Sequence, residues 1–220
     1  VWGEPVRVDP FAWLAAGLTT NTGMFQLGQP GTGKSAFAKR QLLGLVATGV
    51  RPVVLGDPKG EYTPVVEHLG GQVIRVGRGL DRLNPLDPQT LRGAPADEVR
   101  GRRLSLLMAL CALVRRDQGL TNGEEVVLAA ALDEVAVRTD DPVVPEVLAA
   151  VQTPGERVLA AAQVRSRADY DTATQHLRWT LALLCGGTLA GVFDSRSTQA
   201  FDPAAPAMAV DLRAVQDETL

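Results

Sequence analysis

Eight consecutive residues constrain this chain more than any others. Gly28-Gln29-Pro30-Gly31-Thr32-Gly33-Lys34-Ser35 fits G-x-x-x-x-G-K-[ST] in full. The flanks fit too: Met24-Phe25-Gln26-Leu27 predicts a short strand before the loop. After it, Phe37, Leu42, Leu45 and Val46 recur at helical spacing from Gly33 to Thr48, with Gly49 as a stop. A strand, a glycine loop and a helix in this order form a phosphate cradle. The glycines let backbone N–H groups curl around α- and β-phosphates with no side chain in the way. The helix that follows adds its N-terminal dipole and unpaired donors. The predicted nucleotide contacts are Gly28, Gln29, Pro30, Gly31, Thr32, Gly33, Lys34, Ser35 and Ala36. Lys34 is the catalytic cation facing the β/γ-phosphates, and the Ser35 hydroxyl is the expected Mg²⁺ ligand. A glycine-rich turn with an incidental lysine would account for the loop but not for its flanks.

ATP is the expected nucleotide. Asp57-Pro58-Lys59-Gly60 fits the D-x-x-G pattern of GTPases, but a GTPase also needs an N/T-K-x-D base reader. Lysine is scarce here, with Lys34, Lys39 and Lys59 set against nineteen arginines, and none of the three sits in such a motif. The segment Gly56–Tyr62 lies at the carboxyl end of a predicted strand, Val53-Val54-Leu55, on the rim where open α/β sheets bind ligands. Asp57 and Glu61 are therefore candidate catalytic acids that reach toward the metal or its water shell. Equally, they suit a helix start, where a cap and the helix dipole favour carboxylates.

The rest of the chain falls into three parts by pattern. Residues 1–95 alternate short apolar strands with helical periodicity. The strand at 53–55 reads as a buried parallel strand, followed by a helix from Glu61 to Leu69, the stop Gly70-Gly71 and a strand Val73–Val76. Residues 96–186 read as all helical between Pro95 and Pro142 and beyond. A stripe runs through Leu104, Leu107, Met108 and Cys111, a capping box spans Thr121 to Glu124, and a last helix covers Asp171 to Cys185. Residues 187–220 return to a strand, Ala207–Val210, ending in Asp211. The expected fold class is α/β: a P-loop NTPase (RecA-like) parallel sheet with an inserted all-helical lobe.

Composition adds exclusions. A net charge of −3 argues against a basic nucleic-acid clamp made by this chain alone. The best apolar run, Leu104–Val114, is too short to span a membrane. Cys111 and Cys185 lack metal-ligand spacing and read as buried inert thiols, and His68 and His176 as helix-surface residues.

Four segments together resemble the conjugative-transfer ATPases of type IV secretion systems, in the HerA–FtsK division of P-loop motors. They are Gly28–Ser35, Asp57-Pro58-Lys59-Gly60-Glu61-Tyr62, Gly70-Gly71 and Asn84-Pro85-Leu86-Asp87. Asp9-Pro10-Phe11-Ala12-Trp13 resembles the lead-in strand and turn of that family. Gly187-Thr188-Leu189-Ala190-Gly191-Val192-Phe193-Asp194 and Val210-Asp211-Leu212 resemble its later part. The resemblance implies a ring-forming, hexameric ATPase using ATP and Mg²⁺, cytoplasmic and peripheral at the inner face of the cell membrane. It would power substrate transfer or channel assembly. Its implied partners are further copies of itself and other secretion-channel components, with DNA as a further candidate.

The resemblance also implies that the acidic pair of the Walker B strand follows Leu220. The start on Val1 rather than Met agrees with a partial motor domain that binds ATP and hydrolyses it poorly alone. Asp211 superficially fits a Walker B aspartate, but Leu212 stands where a second acid belongs. Arg165, Arg167 and Arg196 are candidates for trans-acting arginine fingers or for packing arginines. Trp2, Phe11 and Trp13 either flank an adenine or pack the N-terminal segment against the sheet. Three alternatives stay open: a DNA translocase, a nucleotide-gated scaffold that does not turn over, and a small-molecule kinase.

Overall fold

Three parallel strands form the sheet: β1 (Val53–Asp57), β2 (Gln72–Arg75) and β3 (Met208–Asp211), in the order β1-β3-β2. The structure is a computed structural model describing residues 8–87, 93–116, 118–186 and 190–217. Trp2, Gly187, Thr188, Leu189 and Leu220 lie outside the described residues. The last strand in sequence lies in the middle, with Asp57 opposite Asp211 on one side and Arg75 opposite Asp211 on the other. Alternation along the strands separates two apolar faces. On one face Val73 and Ala209 pack with Leu42 of helix α2 (Lys34–Ala47) and Val66 of helix α3 (Thr63–His68). On the other, Ile74 and Met208 pack with Val76 and Val192.

Three expectations need correcting. Met24–Leu27 forms no strand and belongs to no sheet among the described residues, and Phe25 and Leu27 stand 86% and 84% exposed. The strand at 53–55 does form, yet as an edge strand: β1 pairs with β3 alone, and Leu55 is 83% exposed. Both discrepancies have one cause. An apolar run encodes a tendency to be buried, but a strand also needs a ladder partner, and among the described residues none flanks β1 on its free side. Third, Asp9–Trp13 is no strand and turn. It opens helix α1 (Pro10–Ala15), because Asp9 caps it by accepting from the N–H groups of Phe11 and Ala12, with proline at the helix start.

Helices α4 (Ala96–Val114), α5 (Asn122–Ala136), α6 (Val144–Gln152), α7 (Glu156–Ala162), α8 (Arg167–Ala173) and α9 (Gln175–Cys185) form a bundle with its own core. The helix expected from Asp171 to Cys185 is thus two helices. They break at buried Thr174, whose hydroxyl donates to the carbonyl of Tyr170 and competes with helix continuation. Tyr170 itself is buried, its hydroxyl donating to Val151 O at 2.8 Å. Leu86 reaches from the loop after β2 into this bundle core with no exposure. A short helix α10 (Arg213–Asp217) follows β3. Among the described residues no helix is long and apolar enough to cross a membrane.

Candidate phosphate site

The candidate phosphate loop closes as a turn between the 24–27 segment and α2. Thr32 anchors it twice, donating its N–H (3.3 Å) and its hydroxyl (2.7 Å) to Gln29 O. The glycines serve different needs. Gly31 and Gly33 hold φ of +81° and +86°, the left-handed region that disfavours a side chain. Gly28 is limited by space, since a Cβ there would stand 2.7 Å from Thr32 Oγ1. Lys34 stretches back across the loop, and its Nζ donates to Gly28 O and Gln29 O at 2.6 Å each. An ammonium has three protons, so one is left for an anion.

Helix α2 starts with no side-chain cap and no acid in its first turn. Phe37 is the first residue of the helix to donate back to a carbonyl, that of Gly33 at 2.9 Å. The N–H groups of Lys34, Ser35 and Ala36 therefore have no helical acceptor. Exposed glycine backbone, three first-turn donors, a clamped ammonium and the Ser35 hydroxyl at the second helical position together fit a polyphosphate with its magnesium. Magnesium, when bound, would be held by Ser35 and the phosphates and would supply charge neutralisation between them. Among the described residues no cluster of three His, Cys, Asp or Glu side chains makes a separate metal centre.

The 57–62 loop lies beside α2. Asp57, at the end of β1, is 1% exposed and has both oxygens engaged. Its Oδ1 accepts from Glu61 N at 2.9 Å, and its Oδ2 accepts from Tyr62 N at 2.8 Å and Thr63 N at 3.1 Å. The carboxylate thus shapes the turn and the start of α3, the capping arrangement that the sequence allowed. Glu61 is half-exposed and faces Lys39 of α2 at 3.8 Å, while the Lys39 ammonium sits 5.9 Å from the centre of the Tyr62 ring. Burial, then the charges of Glu61 and Asp57, push the Tyr62 phenol pKa up, so the ring stays neutral. A cleft of about 380 Å³ adjoins the loop, lined by Gln26, Phe37, Leu42, Val54 and Tyr62 among others; Phe11 and Trp13 are not in its lining.

Sequence reasoning missed two groups here. Thr63 Oγ1 lies 3.4 Å from Asp57 Oδ2 and 3.3 Å from Asp211 Oδ2, joining the ends of two neighbouring strands. Arg213 forks onto Asp211 through Nε and Nη2, and that guanidinium is the main reason the Asp211 carboxyl titrates below the usual carboxylate range. The signal was an aspartate ending each of two apolar strands, but only the sheet order brings them together.

No protein-family model and no curated protein sequence matches this chain. A solved structure does: VirB4 of Thermoanaerobacter pseudethanolicus aligns with 86% of the chain at a TM-score of 0.60 and 22% sequence identity. The chain shares its fold with that protein. It spans half the length of the VirB4 structure, since the match covers 50% of that chain. Within this VirB4-like fold the remaining arginine candidates are engaged locally or stand at the surface. Arg196 pairs with Asp141 at 2.9 Å, Arg167 donates to Gln152 O and stacks on Tyr170, and Arg165 is exposed just before α8. His68 and His176 are exposed on α3 and α9. Burial raises both thiol pKa values, Cys111 and Cys185, to about 11.

Proposed function

We propose that this chain is the ATP-binding part of a motor domain of a conjugation or type IV secretion ATPase, built on a RecA-like P-loop core. One observation carries the reading. The segment Gly28–Ser35 closes as a glycine turn with Lys34 clamped across it and the first turn of α2 free of side-chain acceptors, an arrangement that supports phosphate binding. The VirB4-like fold supports the general kind of machine. In this reading the residues take the following roles. Backbone N–H groups of Gly31, Gly33, Lys34, Ser35 and Ala36 bind and orient the phosphates, and Lys34 neutralises the charge that grows on the transferred group. Asp57 holds the neighbouring loop in shape. Glu61 is the acid left half-exposed at the rim, able to turn from Lys39 toward the water shell of the metal. In the whole protein this unit would act in a hexameric ring at the inner face of the membrane, with other channel components as partners and DNA as a further candidate.

Titration with a fluorescent ATP analogue and Mg²⁺ tests the reading. Lys34→Ala is expected to abolish binding, because it removes the one cation of the loop and the clamp to Gly28 and Gln29. Binding by Lys34→Ala at near wild-type affinity would overturn the assignment.

A further inference from the structure

Arg213 does two things that the phosphate site does not explain. Its guanidinium forks onto buried Asp211, with Nη2 2.6 Å from Oδ2. The same side chain lies against Gly60, a buried residue with φ of +65°, so closely that a Cβ there would stand 2.3 Å from Arg213 Nε. Asp211 in turn reaches Thr63, the first residue of α3. The 57–62 loop is thus held at three points: by the Asp57 carboxylate within it, by Arg213 at the start of α10, and by Lys39 from α2. Arg213 touches the loop at Gly60 and Lys39 touches it at Glu61.

We infer that Arg213 is a positioning residue for the nucleotide site, seating the 57–62 loop against the phosphate-loop helix so that Glu61 meets Lys39. The inference rests on the phosphate-loop reading above. A flat guanidinium suits this role because it can lie along a glycine peptide while both nitrogens face a carboxylate; an ammonium cannot do both. Linkage makes the arrangement reciprocal: if loop position changes nucleotide affinity, bound nucleotide must change loop order by the same factor.

The 220-residue chain itself is the material for the test, read by amide hydrogen exchange over residues 57–63 and by binding of a fluorescent ATP analogue with Mg²⁺. In Arg213→Ala the amides of Glu61, Tyr62 and Thr63 should exchange about tenfold faster. Nucleotide binding should weaken about fivefold. Lys39→Ala should weaken binding to a similar extent, and the double variant should add little, because both act through one loop. Arg213→Lys keeps a cation beside Asp211 but not the flat contact with Gly60, and is expected to stay weakened. Full recovery in that variant overturns the positioning role in favour of simple charge balance. So does unchanged exchange in Arg213→Ala, or faster exchange with unchanged nucleotide affinity, or additive effects with Lys39→Ala. Lys34→Ala separates the two readings. If it binds normally, the phosphate-loop assignment fails; if it loses binding while Arg213→Ala keeps it, only the positioning role fails.

Discussion

A single buried carboxylate orders the loop beside the phosphate site. Asp57 accepts three backbone N–H groups and is 1% exposed, so its value lies in what it satisfies. In Asp57→Asn one oxygen becomes an NH₂ and meets backbone donors with a donor. Leaving such a group unsatisfied costs about 1–3 kcal/mol, a loss that urea unfolding of the variant should register. Gly33→Ala should act differently. With φ of +86° and open space around a built Cβ, its penalty is conformational, about 1–2 kcal/mol, and it falls on the cradle itself. That variant should therefore lose nucleotide affinity along with stability, measured by the same two assays. At this scale the glycine turn and the Lys34 clamp are legible because their determinants lie within eight residues, whereas the strand expected before them does not form. The link from Thr63 to Asp211 spans 148 residues, and no local pattern encodes it.

Elements whose determinants are internal are legible in the sequence; elements whose determinants lie in a neighbour are not. Helix α5 starts where its capping box predicts, with Thr121 and Glu124 satisfying one another's backbone N–H groups. The tertiary part was hidden: Arg115, at the end of α4, binds both oxygens of Glu124 at 2.9 and 2.7 Å and also reaches Thr180 on α9. The Arg115 guanidinium, helped by the Thr121 bonds, lowers the Glu124 pKa from 4.5 to about 2. Because the folded value is depressed, this contribution is present above pH 4.5 and lost as the pH falls toward 2. For a carboxylate this buried it amounts to about 3 kcal/mol. Glu124→Gln should therefore lose that order of stability at pH 7, and its deficit against the wild type should shrink between pH 4.5 and 2 in pH-dependent urea unfolding. The segment 24–27 shows the opposite case. Its apolar run suggests a strand, yet pairing depends on a neighbour, and a run of four residues says nothing about whether one is there.

Among the described residues the largest apolar core lies in the helical bundle and two smaller ones lie on the faces of the sheet, with the loop after β2 linking sheet and bundle. The bundle buries Leu107, Leu128, Leu132, Tyr170, Leu177 and Leu181 together, whereas each face of the sheet buries only a handful of side chains. Asn84 and Leu86 of the Asn-Pro-Leu-Asp segment span the joint. Asn84 Nδ2 donates to Pro142 O at 2.8 Å and to Asp141 Oδ1 at 3.1 Å, and its Oδ1 accepts from Leu86 N at 3.0 Å. Buried Arg103 closes the joint from α4, donating to Leu86 O and Asp140 O, and Arg196 adds its pair with Asp141. The Asn-Pro-Leu-Asp segment thus has a structural role, tying the loop after β2 to the helical bundle. Asn84→Ala should loosen that tie. It leaves Pro142 O and Leu86 N–H buried without these partners, at about 1–3 kcal/mol each, while the apolar cores stay intact. Native-state hydrogen exchange should then show Ile74 and Ala209 in the sheet opening at a markedly lower free energy than Leu128 and Leu132 in α5, with the helical amides close to wild type. An equal loss of protection in sheet and bundle would mean that Asn84 only adds to a common stability, and that the joint does not couple sheet and bundle.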